Sequence, residues 1–189
     1  KGNLWAGLNP AQQRIVEASI REAELSGVGL EGEAKKQFND IQQALAELST
    51  KFSNNVLDAT KGFSLTLTQA EEVEGLPPSL LAQAAQAARE DGADTATAET
   101  GPWRITLDYP SYIPFMQHSR RRDLREQAYR AFITRASAGD LDNQPIIERT
   151  LELRQQVADM LGYDTYAELS IARKMAPSVA AVEQLMEEL

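Results

Sequence analysis

The chain contains 189 residues, of which 42% are hydrophobic and 25% are charged, and its formal net charge is −9. These values exclude collagenous, low-complexity and wholly disordered chains, and they favour one domain or at most two small ones. The absence of cysteine excludes disulfide scaffolds and Cys-ligated metal sites, and it permits a reducing compartment. The acidic balance disfavours general binding to nucleic acid or anionic membranes.

Two helices are predicted in the first third of the chain. Asn9, Pro10 and Gln12 supply an N-cap amide, a proline in the first turn and a capping-box glutamine. A second helix over 32–60 carries apolar residues at alternating spacings of three and four, which places them on one stripe. The stripe consists of Phe38, Ile41, Leu45, Leu48 and Phe52.

Asn55 falls where this stripe predicts another apolar residue. Either the helix leaves the core at this point and Asn55 is exposed near the helix end, or Asn55 meets a polar partner in the interior. Of the two, we expect exposure.

Two segments alternate between apolar and polar residues and are predicted to be half-buried strands that could pair antiparallel. They cover residues 63–68 and 103–108. Between them, Pro77 and Pro78 open an alanine-rich helix over 79–90, and a stretch rich in Gly, Ala, Thr and acidic residues follows. This stretch, 91–102, is predicted to be a surface loop.

Helical patterns fill the rest of the chain. Pro110 and Pro114 bracket a short tyrosine-rich segment, and Ser119 is predicted to cap a helix that Gly139 ends. Three further helices are predicted to open at Pro145, Thr165 and Pro177. The fold class is therefore mainly α: residues 1–189 form a single helical region of six or seven helices with one small two-stranded β element.

Candidate catalytic residues are few. His118 could act as a general base or contact a substrate, but a surface histidine at a helix entry is favoured because no nearby Ser or carboxylate forms a nucleophile–base pair with it. The acidic pairs are interpreted as polar helix faces, because nothing in the pattern drives two pKa values apart. A stand-alone zinc site is disfavoured, since the chain has one imidazole and no thiolate.

Residues 103–135 carry seven arginines against three carboxylates, a local net charge of +4. Arginines next to aromatic residues can bind single-stranded nucleic acid. We favour instead a helix that faces solvent or another domain, in which Asp123 and Glu126 pair with the arginines.

Several unbroken stretches resemble the oligopeptidase A and thimet oligopeptidase family of zinc metallopeptidases, and most closely its bacterial oligopeptidase A branch. They follow the order of the family and span nearly the whole chain. The stretches are 12–18, 38–40, 45–60, 107–114, 125–135 and 161–170. None of them is a catalytic motif.

The resemblance implies a larger zincin-like helical ellipsoid, divided by a deep channel with the active site on its floor. In that family, two His of an H-E-x-x-H motif and a later Glu hold zinc, and the Glu of the motif activates the zinc-bound water. This sequence has no H-E-x-x-H, and Ser follows His118. No catalytic or metal-binding residue can therefore be assigned within the chain, and the zinc of the parent enzyme would lie outside it.

What the resemblance does imply is a role in access to the channel. The chain would belong to the non-catalytic side of a cytoplasmic zinc oligopeptidase, inactive alone, whose partners are short peptide substrates and the catalytic half of the same protein. Tyr109, Tyr112 and Asn55 are candidate channel residues. The first residue is Lys1, and helical pattern continues to Leu189, so we expect a piece of a longer protein. The alternative is a stand-alone helical module that binds another protein.

Overall fold

The computed structural model describes residues 4–189, and this part of the chain is mainly helical, as predicted. A short 3₁₀ turn at Trp5–Gly7 precedes the first helix, and two others, at Ala70–Glu72 and Gly139–Leu141, lie between longer elements. The helices are α1 (Pro10–Leu25), α2 (Gly32–Lys61), α3 (Pro78–Glu90), α4 (Tyr109–His118), α5 (Arg122–Ile133), α6 (Gln144–Met160), α7 (Tyr166–Ile171) and α8 (Val179–Glu187). The strands are β1 (Ser64–Leu67) and β2 (Trp103–Thr106).

The contacts of the chain divide it into two compact units. Unit 1 contains the described residues up to 49 together with 146–189, and unit 2 contains 50–145. The interpretation of 1–189 as a single helical region stays a prediction.

Unit 2 is built around the predicted pair of strands. β1 and β2 pair antiparallel, with Leu67 opposite Trp103 and Leu65 opposite Ile105. Two strands alone are marginally stable in water, and here one face of β2 is buried against α3 and α4. The alanines of α3 have no long side chains, which lets the helix lie close to the sheet. Its buried residues are Leu80, Ala84, Ala85 and Ala88.

The predicted loop 91–102 connects α3 to β2 through a series of turns. Most of its side chains are exposed, while Ala96 is buried in the core of unit 2. The indole Nε1 of Trp103 donates a hydrogen bond to the carbonyl oxygen of Ala98 at 3.0 Å. This contact connects the loop to the first residue of β2.

Unit 1 has a smaller core. Phe38 and Ile41 of α2 pack with Leu153 and Val157 of α6 and with Leu169 of α7. The predicted capping boxes are confirmed at the starts of α1 and α7: Asn9 pairs with Gln12, and Thr165 pairs with Glu168.

Around α4 and α5, the helix boundaries differ from the prediction in three places, and the last helix begins at Val179 rather than at Pro177. Pro110 and Pro114 lie inside α4, because a proline at the helix start costs no hydrogen bond and the burial of Tyr112 and Phe115 stabilises the rest. Ser119 ends α4 instead of capping α5. α5 itself ends at Ile133, before Gly139, which has a φ of 65° and begins a 3₁₀ turn.

Candidate functional site

Asn55 is buried, so the expected exposure near the helix end is wrong and the alternative, a polar partner, is confirmed. The residue is 7% exposed, and its Nδ2 donates a hydrogen bond to Oδ1 of Asn143 at 2.9 Å. Nδ2 of Asn143 donates in turn to the carbonyl oxygen of Phe52 at 3.1 Å. Because a buried amide is costly without partners, this chain of hydrogen bonds explains why a polar residue can interrupt the apolar stripe of α2.

The two candidate tyrosines lie on α4 and share one partner on α5. The rings of Tyr112 and Phe132 are stacked, with centroids 4.3 Å apart and planes 6° apart. Tyr109 meets Phe132 edge-on, with centroids 6.1 Å apart. We call Tyr109, Tyr112 and Phe132 the aromatic cluster. Tyr112 is buried, while Tyr109 is 66% exposed, so Tyr109 is the member that a ligand can reach.

Arg135, two residues beyond the end of α5, contacts Phe132 of the aromatic cluster. Its guanidinium carbon lies 3.8 Å from the centroid of the Phe132 ring, a cation–π contact. Its Nη1 donates to Oγ1 of Thr60 at 3.1 Å and its Nε donates to the carbonyl oxygen of Phe132 at 2.9 Å.

Burial raises the pKa of Tyr112 above its ordinary value, so its hydroxyl stays neutral at physiological pH.

The arginines of 103–135 are largely paired within unit 2. The predicted partners are confirmed: Asp123 pairs with Arg121 at 2.6 Å and Glu126 pairs with Arg130 at 2.8 Å. Two further ion pairs join Arg104 to Asp91 and Arg120 to Glu74. The local positive charge is therefore smaller than the sequence count suggests.

The described residues do not fit a zinc site. Over 4–189, no group of three or more His, Cys, Asp or Glu side chains could hold a metal ion. His118 is exposed at the end of α4 rather than at a helix entry. Structural and catalytic zinc sites need at least three such ligands.

No helix within residues 4–189 is both long enough and apolar enough to cross a membrane.

The structure brings Tyr109 and Tyr112 together, while Asn55 belongs to a different group of contacts. Phe132, Arg135 and Asn143 were not identified as site residues from the sequence. Phe132 lies on the apolar stripe of α5, a pattern that indicates burial but not a ring partner. Asn143 follows a turn, and no periodicity marks it as the partner of a residue 88 positions earlier.

Comparison with known proteins gives the family. Peptidase family M3 matches residues 115–189, and the N-terminal domain of neurolysin and thimet oligopeptidase matches residues 1–35. Oligopeptidase A of Escherichia coli is 40% identical over 193 residues, which cover 100% of this chain. The chain belongs to the oligopeptidase A and thimet oligopeptidase family.

Members of this family differ in their sequence identity to the chain and in the activity for which they are named. A probable cytosolic oligopeptidase A of Arabidopsis thaliana is 56% identical over 98% of the chain, so plant as well as bacterial relatives carry the name oligopeptidase A. Dipeptidyl carboxypeptidase of Escherichia coli is 32% identical over 97% of the chain. The chain spans 26% of the Arabidopsis protein, 27% of the E. coli oligopeptidase A and 26% of the carboxypeptidase, about a quarter of each.

Tyr109, Tyr112 and Asn55 all lie outside the two stretches that the families match. Their partners Phe132 and Asn143 lie inside the stretch matched by peptidase family M3. In each of these contacts, the matched stretch therefore contains the partner residue but not the candidate residue.

Proposed function

We propose that this chain is a non-catalytic part of a zinc-dependent oligopeptidase that hydrolyses short peptides. The observation that carries the proposal is similarity along the whole chain to proteins named oligopeptidase A, at 40% to 56% identity. Because the residues described here do not fit a zinc site, the metal and the residues of the reaction would belong to another part of the parent protein.

The role of this chain would be to control access to the active site. A channel wall selects its substrates by size and by the side chains that touch the peptide. Tyr109 supports this role, because it is an exposed aromatic ring held at a defined angle by Phe132. Tyr112 and Asn55 are buried, so they would act by positioning: Tyr112 supports the ring of Phe132, and Asn55 holds Asn143.

The remaining parts of the proposal concern the partner and the compartment. The catalytic part of the same protein would pack against this chain, and large apolar side chains exposed on α1, α6 and α8 are suited to such a contact. We place the parent enzyme in the cytoplasm. A relative named cytosolic supports this placement, whereas a relative of 55% identity is named chloroplastic and mitochondrial. We also propose that both units belong to one folded region.

The first experiment is to express the longer protein that contains this chain and to assay hydrolysis of a quenched fluorescent peptide of about ten residues. We expect activity that a chelator abolishes and zinc restores, and an H-E-x-x-H motif outside residues 1–189. The chain alone should leave the peptide intact. Activity of the chain alone, or full activity of the longer protein after removal of metal, would contradict the proposal.

The second experiment tests the access role with Tyr109→Ala in the longer protein. Because Tyr109 is exposed, the variant should keep its melting temperature, while kcat/KM should change several-fold and unequally for short and long peptides. Leu57→Ala, which shortens an exposed side chain of α2 in unit 2, serves as the control. Unchanged kinetics in Tyr109→Ala would remove this residue from the channel.

A further inference from the structure

A cleft of about 330 Å³ lies within unit 1. The end of α1, the middle of α2, α6 and α7 form its walls, together with the two residues that follow Ala172. Its volume falls at the lower end of the range typical of sites for small ligands. The lining residues are Leu25, Gln42, Leu45, Val157, Tyr166, Leu169, Ser170, Arg173 and Lys174.

The floor of the cleft is apolar. Leu25, Val157 and Leu169 are buried members of the unit 1 core, and Leu45 and Tyr166 pack against it. The guanidinium carbon of Arg154 lies 5.0 Å from the centroid of the Tyr166 ring, which holds this wall in place. An apolar floor of this kind accommodates an aliphatic side chain.

The rim of the cleft is positive, although the chain as a whole has a charge of −9. Arg173 and Lys174 line it, and none of the nine lining residues is acidic. Arg173 pairs with Glu22 at 3.2 Å. Lys174 donates from Nζ to Oγ of Ser170 at 2.8 Å, and no carboxylate among residues 4–189 forms an ion pair with it. The Lys174 ammonium is therefore available to an anion at the mouth of an apolar cavity.

Two polar groups at the cleft favour a peptide over a simple fatty acid. The Gln42 amide can both donate and accept a hydrogen bond, and the Ser170 hydroxyl can do the same. A peptide bond presents one N–H and one C=O next to its terminal carboxylate, whereas an alkyl chain presents neither. The cleft thus combines an apolar floor, an ammonium that forms no ion pair among the described residues, and partners for an amide.

We propose that this cleft binds the C-terminal residue of a peptide, with an aliphatic side chain on the floor and the terminal carboxylate on Lys174. The proposal does not depend on peptidase activity, because no lining residue has been assigned to a reaction.

Binding can be measured by NMR on the full 189-residue chain labelled with ¹⁵N, titrated with N-acetyl-alanyl-leucine as the free acid. We expect shifts of the backbone amides of Leu45, Ser170 and Lys174, and affinity about fivefold higher for the acid than for its C-terminal amide. Lys174→Gln should reduce that preference at least about threefold, as expected for an exposed ion pair. Lys36→Gln removes the same charge from an exposed position outside the cleft and should leave the preference unchanged.

Two variants test the apolar floor and the amide contact. Leu45→Trp should fill the cleft and weaken binding about tenfold. Gln42→Leu changes an exposed residue, so this variant tests the proposal even if the tryptophan variant does not fold. It should weaken binding of the peptide acid and leave the affinity for octanoate unchanged. Equal effects of Lys174→Gln and Lys36→Gln, or octanoate binding as tightly as the peptide acid, would overturn the proposal.

Discussion

The two units of this chain differ in how completely they cover their apolar side chains. Among the described residues, unit 2 buries twice as many side chains in its core cluster as unit 1, including the whole inner face of β2. Unit 1 has a smaller core and leaves large apolar residues exposed on three of its helices. These are Ile15, Val16 and Ile20 on α1, Ile147 and Leu151 on α6, and Val182, Leu185 and Met186 on α8.

This difference has a physical reason. Unit 2 combines a sheet with helices that close over it, and its alanine-rich helix allows close packing. Unit 1 consists of helices alone, and those of its apolar residues that point away from the core remain in water. Exposed apolar groups on several helices are typical of surfaces that pack against another protein or another part of the same protein.

The largest effect is expected from Phe115→Ala in the core of unit 2. Phe115 is completely buried, so its truncation should lower the free energy of unfolding by about 3–5 kcal/mol in urea denaturation. Leu185→Ala at an exposed position of unit 1 should change it by less than ~0.5 kcal/mol. Hydrogen exchange of the Phe115→Ala variant would show whether amide protection falls in unit 2 alone. An equal loss of protection in both units would support one folded region and would contradict a difference in stability between the units.

Two leucines on α6 test whether buried and exposed apolar side chains of unit 1 contribute differently to its stability. Leu153 is 2% exposed and Leu151 is 59% exposed. Leu153→Ala should cost about 2–5 kcal/mol because it leaves a cavity, while Leu151→Ala should cost less than ~0.5 kcal/mol. Similar costs for the two variants would mean that Leu151 is covered in the protein in solution.

The next effect concerns the buried amides of unit 2. Asn143→Ala removes the acceptor of Asn55 and the donor to Phe52, so it should cost about 1–3 kcal/mol. The double variant Asn55→Leu and Asn143→Leu should recover part of this loss, because no unpaired amide remains. Asn54→Ala, at the exposed neighbouring position, is the control. A cost as small as that of the control would contradict the hydrogen bonds described.

The aromatic cluster should contribute less. A double-mutant cycle with Tyr112→Leu and Phe132→Leu should give a coupling of about 0.5–1.5 kcal/mol, the range for stacked rings. The same cycle with Tyr109→Leu should give a smaller value, because Tyr109 is exposed and its contact is longer. Equal couplings would assign Tyr109 to the core rather than to a surface that meets a ligand.

The smallest effect is electrostatic. The hydrogen bond from Arg121 lowers the pKa of Asp123 from 3.8 to about 2. A lowered pKa in the folded state means that the stabilisation is complete above pH 3.8 and is lost as the pH falls through about 2. An NMR titration of the Asp123 carboxyl should show a midpoint near this value, and Arg121→Gln should move it toward 3.8. Identical midpoints in both proteins would exclude the pairing.

Much of the fold could be predicted from local patterns. The capping boxes of Asn9 and Thr165, the alternation of 103–108 and the stripe of α2 all act between neighbours along the chain, so the pattern itself predicts the element. The boundaries around Ser119 and Gly139 were wrong because a polar residue can end one helix instead of beginning the next, and because glycine is also common in loops beyond a helix end.

The candidate site could be predicted from local patterns less completely than the fold. The stripe of α2 identified Asn55 as unusual, but only tertiary contact with Asn143 decides that it is buried rather than exposed. The resemblance to a family suggested Tyr109 and Tyr112, and their environments diverge although they lie one turn apart on α4. The two environments differ because the Phe132 ring stacks on Tyr112 but meets Tyr109 only edge-on. The position of Phe132 relative to α4 depends on how α4 and α5 pack, which local patterns do not predict.

By itself, the sequence determined the helical class, the antiparallel pair of β strands and the acidic charge. These properties follow from composition and from interactions between residues close in the chain. Only the tertiary structure decided the partner of Asn55, the exposure of Tyr109 and the cleft at Lys174, because each depends on side chains that folding brings together from distant elements.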